Sequence, residues 1–516
     1  MRAHSQTHSL HRLTSTLALL VLFGCSDGND NAIEITDPGA VDPEGPGTVL
    51  ACDAPAPESP TEMCGELLSL APSFPGDVAF SPDAMTVEDA QAMFDCLSWK
   101  TFVALNWPAK QSCRGTPDTD LDLSENRSLR VWETWKQVFE LFQDNDAEWN
   151  PVDQDWHDPA PGVACSDVAE GRKIVRMSSK GIYGPDTVTE DEQAFSTSFG
   201  VLRDQAGNLV RYEIRFNRDE FEAVRDSGFA ATGAYDYGGP LLAASESFVL
   251  PDNRTGITGH GSIELKASWK VLTESDDASR YYAQEVVIHD EGGDPECEVQ
   301  QMGLLGLHIM HKTYHAPQWT FATFEHVDNT PPAGSTGDGR LYTLYDESCA
   351  LNPPTACWAV QPPISDSSLT CCPNLEFNTG VITDAPTQAT RIVPIGPTDL
   401  NARYRQLLAE AGSVFQHYQL VNTQFTLGGR DPDNPERVRQ AFCNPNGPWS
   451  IPAASEDCFT QVPANLRNTS METYMASYGT GTTELPADSC LNCHAAGGVD
   501  SSYIWLDAKL APVTLR

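Results

Sequence analysis

Basic side chains are scarce in this chain. Its 516 residues include 32 Lys and Arg against 72 Asp and Glu, which gives a formal net charge of −40. Nucleic-acid binding depends on Lys and Arg to neutralise phosphates, so this balance argues against a nucleic-acid partner. It also disfavours electrostatic attachment to an anionic membrane. We therefore expect a basic partner protein, drawn to the acidic surface.

Long hydrophobic runs are also missing, except near the N-terminus. A short apolar stretch, residues 13–24, follows two arginines and ends at Cys25. The stretch is typical of an export signal, and its end resembles the lipoprotein cleavage box of bacteria, whose cysteine is lipidated. A cleaved signal with an incidental cysteine is the alternative. The sequence predicts a signal peptide over residues 1–24 and a lipidated Cys25. Since Ser26 follows, we expect anchoring to the bacterial outer membrane, on its periplasmic or cell-surface side.

Large apolar residues are rare from Ser26 to Pro60, and from about residue 76 the composition turns globular. Residues 25–75 are rich in Asp, Gly, Pro and Glu and are predicted to form an acidic extended tether. Residues 76–480 are predicted to form one α+β body, with an antiparallel sheet core and flanking helices. Residues 481–516 form a separate C-terminal segment.

Hydrophobic periodicity predicts the main elements of the body. Helices are expected from the Thr86 N-cap to near Trp107, over Leu129–Phe142 and over Leu400–Tyr418. The predicted strands are Phe199–Leu202, Leu209–Phe216, Ser262–Leu272, Tyr281–His289, Met302–Thr313 and Trp319–Val327.

Fifteen cysteines are too many for an ordinary cytosolic chain and indicate an oxidising compartment with disulfides. Spacing is compatible with short-range pairs such as Cys52 with Cys64 and Cys443 with Cys458. Sequence alone does not fix the pairing.

One cysteine pair has the spacing of a haem-attachment site. Cys490, Cys493 and His494 form a CxxCH motif, as in c-type cytochromes. Two thiols at this spacing add to the two vinyl groups of the porphyrin, and the adjacent imidazole binds the iron. A zinc site would need a second ligand pair, and the sequence has no other CxxC. A thioredoxin-like pair would lie at a strand-to-helix junction, not in a Gly- and Thr-rich stretch. The motif therefore predicts one covalent haem c.

The position of the motif departs from that of a small class I cytochrome c. Only 22 residues follow His494, and none of them is Met or His. The sixth iron ligand, if the protein supplies one, must therefore come from the preceding body, which would form the haem pocket. Our first candidate is His308 and the second is His326. The remaining alternatives are His311, His417, Met471, Met475 and no protein ligand.

Three phrases outside the motif resemble a known family. They lie at Phe94–Pro108, at 306–329 from Gly306-Leu-His308 to Glu325-His-Val-Asp-Asn329, and at Asn468–Thr473. Together they are similar to exported bacterial lipoproteins of the cytochrome c family that carry a single C-terminal CxxCH. The resemblance spans most of residues 90–500. It implies haem binding, and that group has no assigned activity.

Three functions remain open at the level of sequence. The first is electron transfer by a lipid-anchored, periplasmic or cell-surface haem protein. The alternative is a haem-dependent oxidoreductase of the peroxidase or oxygenase type, with substrate bound by the 76–480 body. The third is a surface binding or sensing module in which haem reports redox state or gas. No catalytic motif decides whether the chain is an enzyme.

Overall fold

The computed structural model describes the body of the chain as a set of separate ranges. The predicted signal peptide, Cys25, Cys493 and Met475 lie outside the described residues. The described residues are 64, 68–78, 86–141, 154–158, 165–169, 172–175, 202–227, 248–289, 295, 297–332, 339–346, 375–376, 381–382, 386–391, 393–428, 441–442, 458–462, 466–473, 490, 494, 500 and 502.

A mixed β-sheet lies at the centre of the described residues. Its middle strands, β4, β6, β7 and β10, are antiparallel neighbours in that order. The described strands are β1 (Lys136–Gln137), β2 (Lys173–Val175), β3 (Arg211–Phe216), β4 (Ile263–Val271), β5 (Ala283–His289), β6 (Cys297–His311), β7 (Thr320–His326), β8 (Leu375–Glu376), β9 (Val381–Ile382), β10 (Tyr418–Leu427), β11 (Ala441–Phe442) and β12 (Cys458–Val462). All belong to the central sheet except β8 and β9, which pair with each other.

Helices are few among the described residues. The described α-helices are α1 (Val87–Leu105), α2 (Ser166–Ala169), α3 (Arg218–Ser227) and α4 (Thr398–Glu410). Only α1 precedes the first strand, whereas the other three lie between strands along the chain. This arrangement confirms the predicted α+β class. The sheet is not wholly antiparallel, however, because β2 pairs with β5, and β11 with β12, in parallel.

The first helix forms as its sequence predicts. The Thr86 side chain accepts a hydrogen bond from the Asp89 amide at 3.1 Å, and the Asp89 carboxylate accepts one from the Thr86 amide at 3.3 Å, which completes a capping box. Trp99 and Phe102 then pack on Phe324 of β7, with ring centroids 5.0 and 4.1 Å apart. This aromatic cluster fixes α1 against one face of the sheet.

Two helix predictions were wrong in extent. Residues Leu129–Phe142 form no α-helix over their described part. Instead, 3₁₀ turns at Val131–Thr134 and Val138–Glu140 flank β1, which pairs with β3. Buried aromatics three residues apart suit successive 3₁₀ turns as well as an α-helix, so their spacing is ambiguous.

The predicted helix Leu400–Tyr418 ends early, at Glu410. Gly412 has φ +71°, the left-handed conformation with which helices commonly end. The chain then turns at Val414–His417 and enters β10, a strand that the sequence analysis missed. Helix α3 was missed as well.

Leu202, the one described residue of the predicted strand Phe199–Leu202, is not in a strand. The ends of the other predicted strands lie within five residues of the ends of β3, β4, β5, β6 and β7, and two of them coincide.

Where both cysteines are described, two pairs lie at disulfide distance: Cys64 with Cys96, and Cys165 with Cys297. The expected pair of Cys52 with Cys64 was therefore wrong, because α1 brings Cys96 to Cys64 with Cα atoms 5.5 Å apart. Cys443 lies outside the described residues.

Packing begins before the predicted end of the tether. Phe74 is only 3% exposed, and its ring lies 6.2 Å from Trp135 and 5.0 Å from His260. In the part of the chain that the structure describes, no helix is long and apolar enough to cross a membrane.

Candidate functional site

The two faces of the central sheet differ in chemistry. Side chains alternate along a strand, and directly opposed residues of antiparallel neighbours share a face. One face carries Leu307, Ile309 and Phe324 and lies against the apolar cluster that includes α1. We call the opposite face of β4, β6 and β7 the polar face. Its side chains are Glu264, Lys266, Ser268, His308, Met310, Phe321, Thr323 and Glu325.

The polar face is buried, although most of its residues are polar. The exposed fraction of Ser268, Thr323 and Glu325 is 2% or less, and that of Lys266 is 9%. A buried polar group is stable only when it has hydrogen-bond partners. Something must therefore cover this face with matching donors and acceptors.

Residues 466–473 supply much of that cover. The Asn468 amide donates to Thr323 Oγ1 at 2.9 Å and to the Phe324 carbonyl at 2.7 Å. Ser470 Oγ lies 2.7 Å from Ser268 Oγ. The Thr469 hydroxyl donates to Glu325 Oε2 at 2.9 Å.

Gly306 permits this close approach. A Cβ atom there would lie 2.7 Å from Ser470 Oγ, 2.9 Å from Asn468 Nδ2 and 3.0 Å from Ser268 Oγ. The glycine thus allows residues 466–473 to reach the backbone of β6.

Ion pairs complete the polar face. Arg391 contacts the Glu325 carboxylate, and His308 Nε2 lies 3.2 Å from Glu472 Oε1. Burial alone would raise the pKa of Glu472, but the His308 imidazole and the Asn468 amide hold that pKa below its ordinary value. Glu472 is therefore a carboxylate at neutral pH, which anchors the His308 ring.

One of the two described motif residues, His494, lies against the polar face. His494 is 8% exposed, and its ring centroid lies 5.1 Å from that of Phe321. Cys490 carries a thiol, is half-buried and packs on the main apolar cluster. Both residues have helical backbone, and residues four apart share one face of a helix.

The chain beyond the motif reaches the edge of the polar face. Asp500 contacts the Lys312 ammonium, accepts from the Leu250 amide at 2.7 Å and receives the Trp319 indole N–H on its carbonyl at 2.8 Å. Ser502 is fully buried and hydrogen-bonds to Glu264. These contacts fix residues on the C-terminal side of His494.

A carboxyl pair lies beneath that contact. Glu220 of α3 and Glu264 of β4 face each other in the interior. Burial raises the pKa of Glu264 to about 7, and burial and the neighbouring Glu264 raise the pKa of Glu220 well above its ordinary value. Near neutral pH the pair therefore retains a proton, although Lys312 stabilises the charged forms.

The distal-ligand candidates are separated by the sheet. His308 lies on the polar face with Phe321 and thus on the same side as His494. His326 lies on the opposite face. Its Nε2 is 2.9 Å from the Arg280 carbonyl, and its Nδ1 accepts the Asp328 amide at 3.1 Å.

The remaining candidates for the distal ligand lie in different parts of the described structure. His311 shares the apolar side, and its Nε2 is 2.8 Å from the His260 carbonyl. His417 lines a separate cavity. Met471 is fully buried in a second apolar cluster.

Alternation along the strand predicts that Met310 shares a face with His308, and the register confirms it. Sequence reasoning missed two features of the site: the Gly306 approach and the Glu220–Glu264 pair. Both depend on residues far apart in sequence.

No family model, curated protein or solved structure matches this chain. Among the described residues, no three His, Cys, Asp or Glu side chains form a group that could hold a metal ion.

Proposed function

We propose that this protein carries one haem c attached through Cys490 and Cys493, with His494 as an axial ligand, and that it transfers electrons. The main support is the burial of the His494 ring against Phe321 on the polar face. When bound, haem supplies a one-electron redox centre. The chain would attach it, orient the imidazole and exclude water.

The residues present fit this group in their chemistry. A c-type site needs thiols and an imidazole at the motif spacing, and Cys490 carries a thiol close to His494 in sequence. The apolar cluster beside Cys490 offers contact to a macrocycle, and the cationic Lys266 on the polar face suits its propionates. We propose that the large body forms this pocket, unlike a small class I cytochrome c.

We propose His308 as the distal ligand in preference to His326. His308 shares the face against which His494 packs, whereas both ring nitrogens of His326 are engaged on the other face. Glu472 would position the His308 imidazole.

Attachment can be tested on the purified mature protein. The wild type should show a Soret band, stain for haem in a denaturing gel and give a pyridine haemochrome of the two-thioether type. Cys490→Ala should lose one thioether, and His494→Ala should lose the native low-spin spectrum. His157→Ala, at a half-buried histidine outside the site, is the matched control. Wild-type protein with no Soret band would refute the proposal.

A haem-dependent oxidoreductase of the peroxidase or oxygenase type is the second candidate. It is favoured by the polar groups on the haem-facing side, where His308, Arg391 and Glu325 lie together. An open iron position beside such groups would activate peroxide or oxygen.

Ligation distinguishes the two functions. A low-spin ferric spectrum and reduced protein that resists CO indicate electron transfer. A high-spin spectrum with rapid CO and peroxide reaction indicates the enzyme. His308→Ala should convert low-spin to high-spin iron if His308 is the ligand, whereas His326→Ala should leave the spin state unchanged.

We further propose that Cys25 carries the lipid anchor to the outer membrane and that the redox partner is basic. The supporting observations are the cysteine at the end of the apolar stretch and the net charge of −40. Mass spectrometry of the mature N-terminus tests the anchor, since Cys25→Ala should abolish acylation and detergent-phase partitioning.

A further inference from the structure

A cavity of about 640 Å³ opens beside the turn that follows β7. Its walls come from the turn after β4, the segment around residue 340, helix α4 and the 3₁₀ turn before β10. The side chains that matter here are Arg280, Tyr281, Arg340, Arg405 and His417. Three guanidinium groups thus line one cavity in a chain with only 32 basic residues against 72 acidic ones.

The three arginines lie close enough to affect one another. Burial lowers the pKa of Arg405, and the charges of Arg280 and Arg340 lower it further. Such a like-charge cluster, partly removed from water, is unfavourable unless an anion compensates it. Part of that compensation comes from the chain itself.

The carboxylates in the wall are largely committed to other partners. Asp328 accepts from Arg280 Nε at 2.6 Å, and Asp276 accepts from Lys270 Nζ at 2.6 Å. The third, Asp277, accepts bonds from the backbone and hydroxyl of Ser279 at 3.2 and 2.6 Å. The lining thus holds three guanidinium groups and three carboxylates, and each of these carboxylates already has a partner within the chain.

Arg405 is the guanidinium least compensated by the protein. Its Nε donates to the Gln416 carbonyl at 2.7 Å. Within the described ranges, no carboxylate forms an ion pair with it. Its location on the rigid helix α4 holds the guanidinium in the cavity wall.

We propose that this cavity binds a small organic anion, whose carboxylate or phosphate group is held by Arg405 together with Arg340. Guanidinium groups bind both oxyanions in the same bidentate manner. The volume suits a ligand of metabolite size and exceeds what a halide ion needs. Tyr281, fixed by stacking on His326 at 4.2 Å, and Leu341, 80% exposed, offer surface to its carbon skeleton.

The test is calorimetric titration of the full mature chain with two probes, citrate and inorganic phosphate, at low ionic strength. At least one should bind, and added NaCl should weaken the binding. Binding of citrate alone identifies the site as carboxylate-specific, and binding of phosphate alone identifies it as phosphate-specific.

Arg405→Gln should weaken the binding by about tenfold or more, because a bidentate contact is lost. Arg405→Lys keeps the charge and should bind with intermediate affinity, which covers the case in which the Gln variant misfolds. Arg403→Gln removes the same charge from the same helix outside the cavity wall and should bind within about twofold of the wild type. The proposal fails if neither probe binds below about 10 mM, or if both Arg405 variants bind as the wild type does.

Discussion

At the scale of single residues, the most unusual groups are the buried carboxyls Glu220 and Glu264. Folding raises the pKa of Glu264 from 4.5 to about 7 through burial. A carboxyl whose pKa is raised on folding does not lower the stability of the folded state at a pH below its pKa in the unfolded chain. As the pH rises from that value to its pKa in the folded protein, the folded state is progressively destabilised. The protein should therefore lose stability between about pH 4.5 and pH 7 from this pair.

We expect Glu264→Gln to remove that loss. At pH 8 the variant should have a free energy of unfolding higher by on the order of 2 kcal/mol, and the difference should shrink towards pH 4.5. Thermal unfolding across this pH range measures both effects. Glu298→Gln, at an exposed position of β6, is the control and should show no such trend. An equal effect of Glu264→Gln at both pH values would contradict the assignment.

Gly306 supports a second prediction at the residue scale. A Cβ there would meet Ser470 Oγ at 2.7 Å, so Gly306→Ala should cost about 1–3 kcal/mol of stability. Hydrogen exchange should also accelerate in residues 466–473. Ser470→Ala in the same chain should recover part of the loss, because it removes the nearest clashing atom. Additive effects of the two changes would show that the contact is not the cause.

At the scale of elements, the sequence predicted helices and strands correctly where their position depends on neighbouring residues alone. Thr86 and Asp89 mark the start of α1, and alternation marks β4, β6 and β7. The sequence pattern was misleading at Leu129–Phe142, because buried aromatics three residues apart also suit 3₁₀ turns. It was misleading again beyond Gly412, whose positive φ ends α4. The glycine was a usable stop signal.

The polar face could not be predicted as a buried surface. Lys266, His308 and Glu325 alternate with apolar residues, which is the ordinary pattern of a strand with one face in water. Only tertiary contact with residues 466–473, remote in sequence, shows that these side chains are covered. The CxxCH spacing of Cys490, Cys493 and His494 could be recognised in the sequence alone, whereas the surroundings of His494 depend on residues remote in sequence.

At the scale of the whole molecule, the net charge of −40 governs encounters with partners. Reduction of a basic soluble cytochrome c by this protein should slow by about tenfold between roughly 10 mM and 150 mM ionic strength, because screening weakens attraction. Stopped-flow measurement gives the rate. With ferricyanide, a small anion, the reaction rate should instead rise with ionic strength. A rate of reduction of the basic cytochrome c that does not change with ionic strength would argue against electrostatic steering.

The hydrogen bond between Asn468 and Thr323 joins residues 145 positions apart. A polypeptide truncated ahead of Asn468 would leave the hydroxyls of Ser268 and Thr323 and the Glu325 carboxylate in the interior without that cover, a severe desolvation penalty. Expression of the residues that precede Asn468 without the rest of the chain is therefore expected to yield insoluble material. Because residues 466–473 cover the polar face, folding cannot be completed until they have been synthesised. Contacts between residues so far apart in sequence also form slowly, so we expect slow folding.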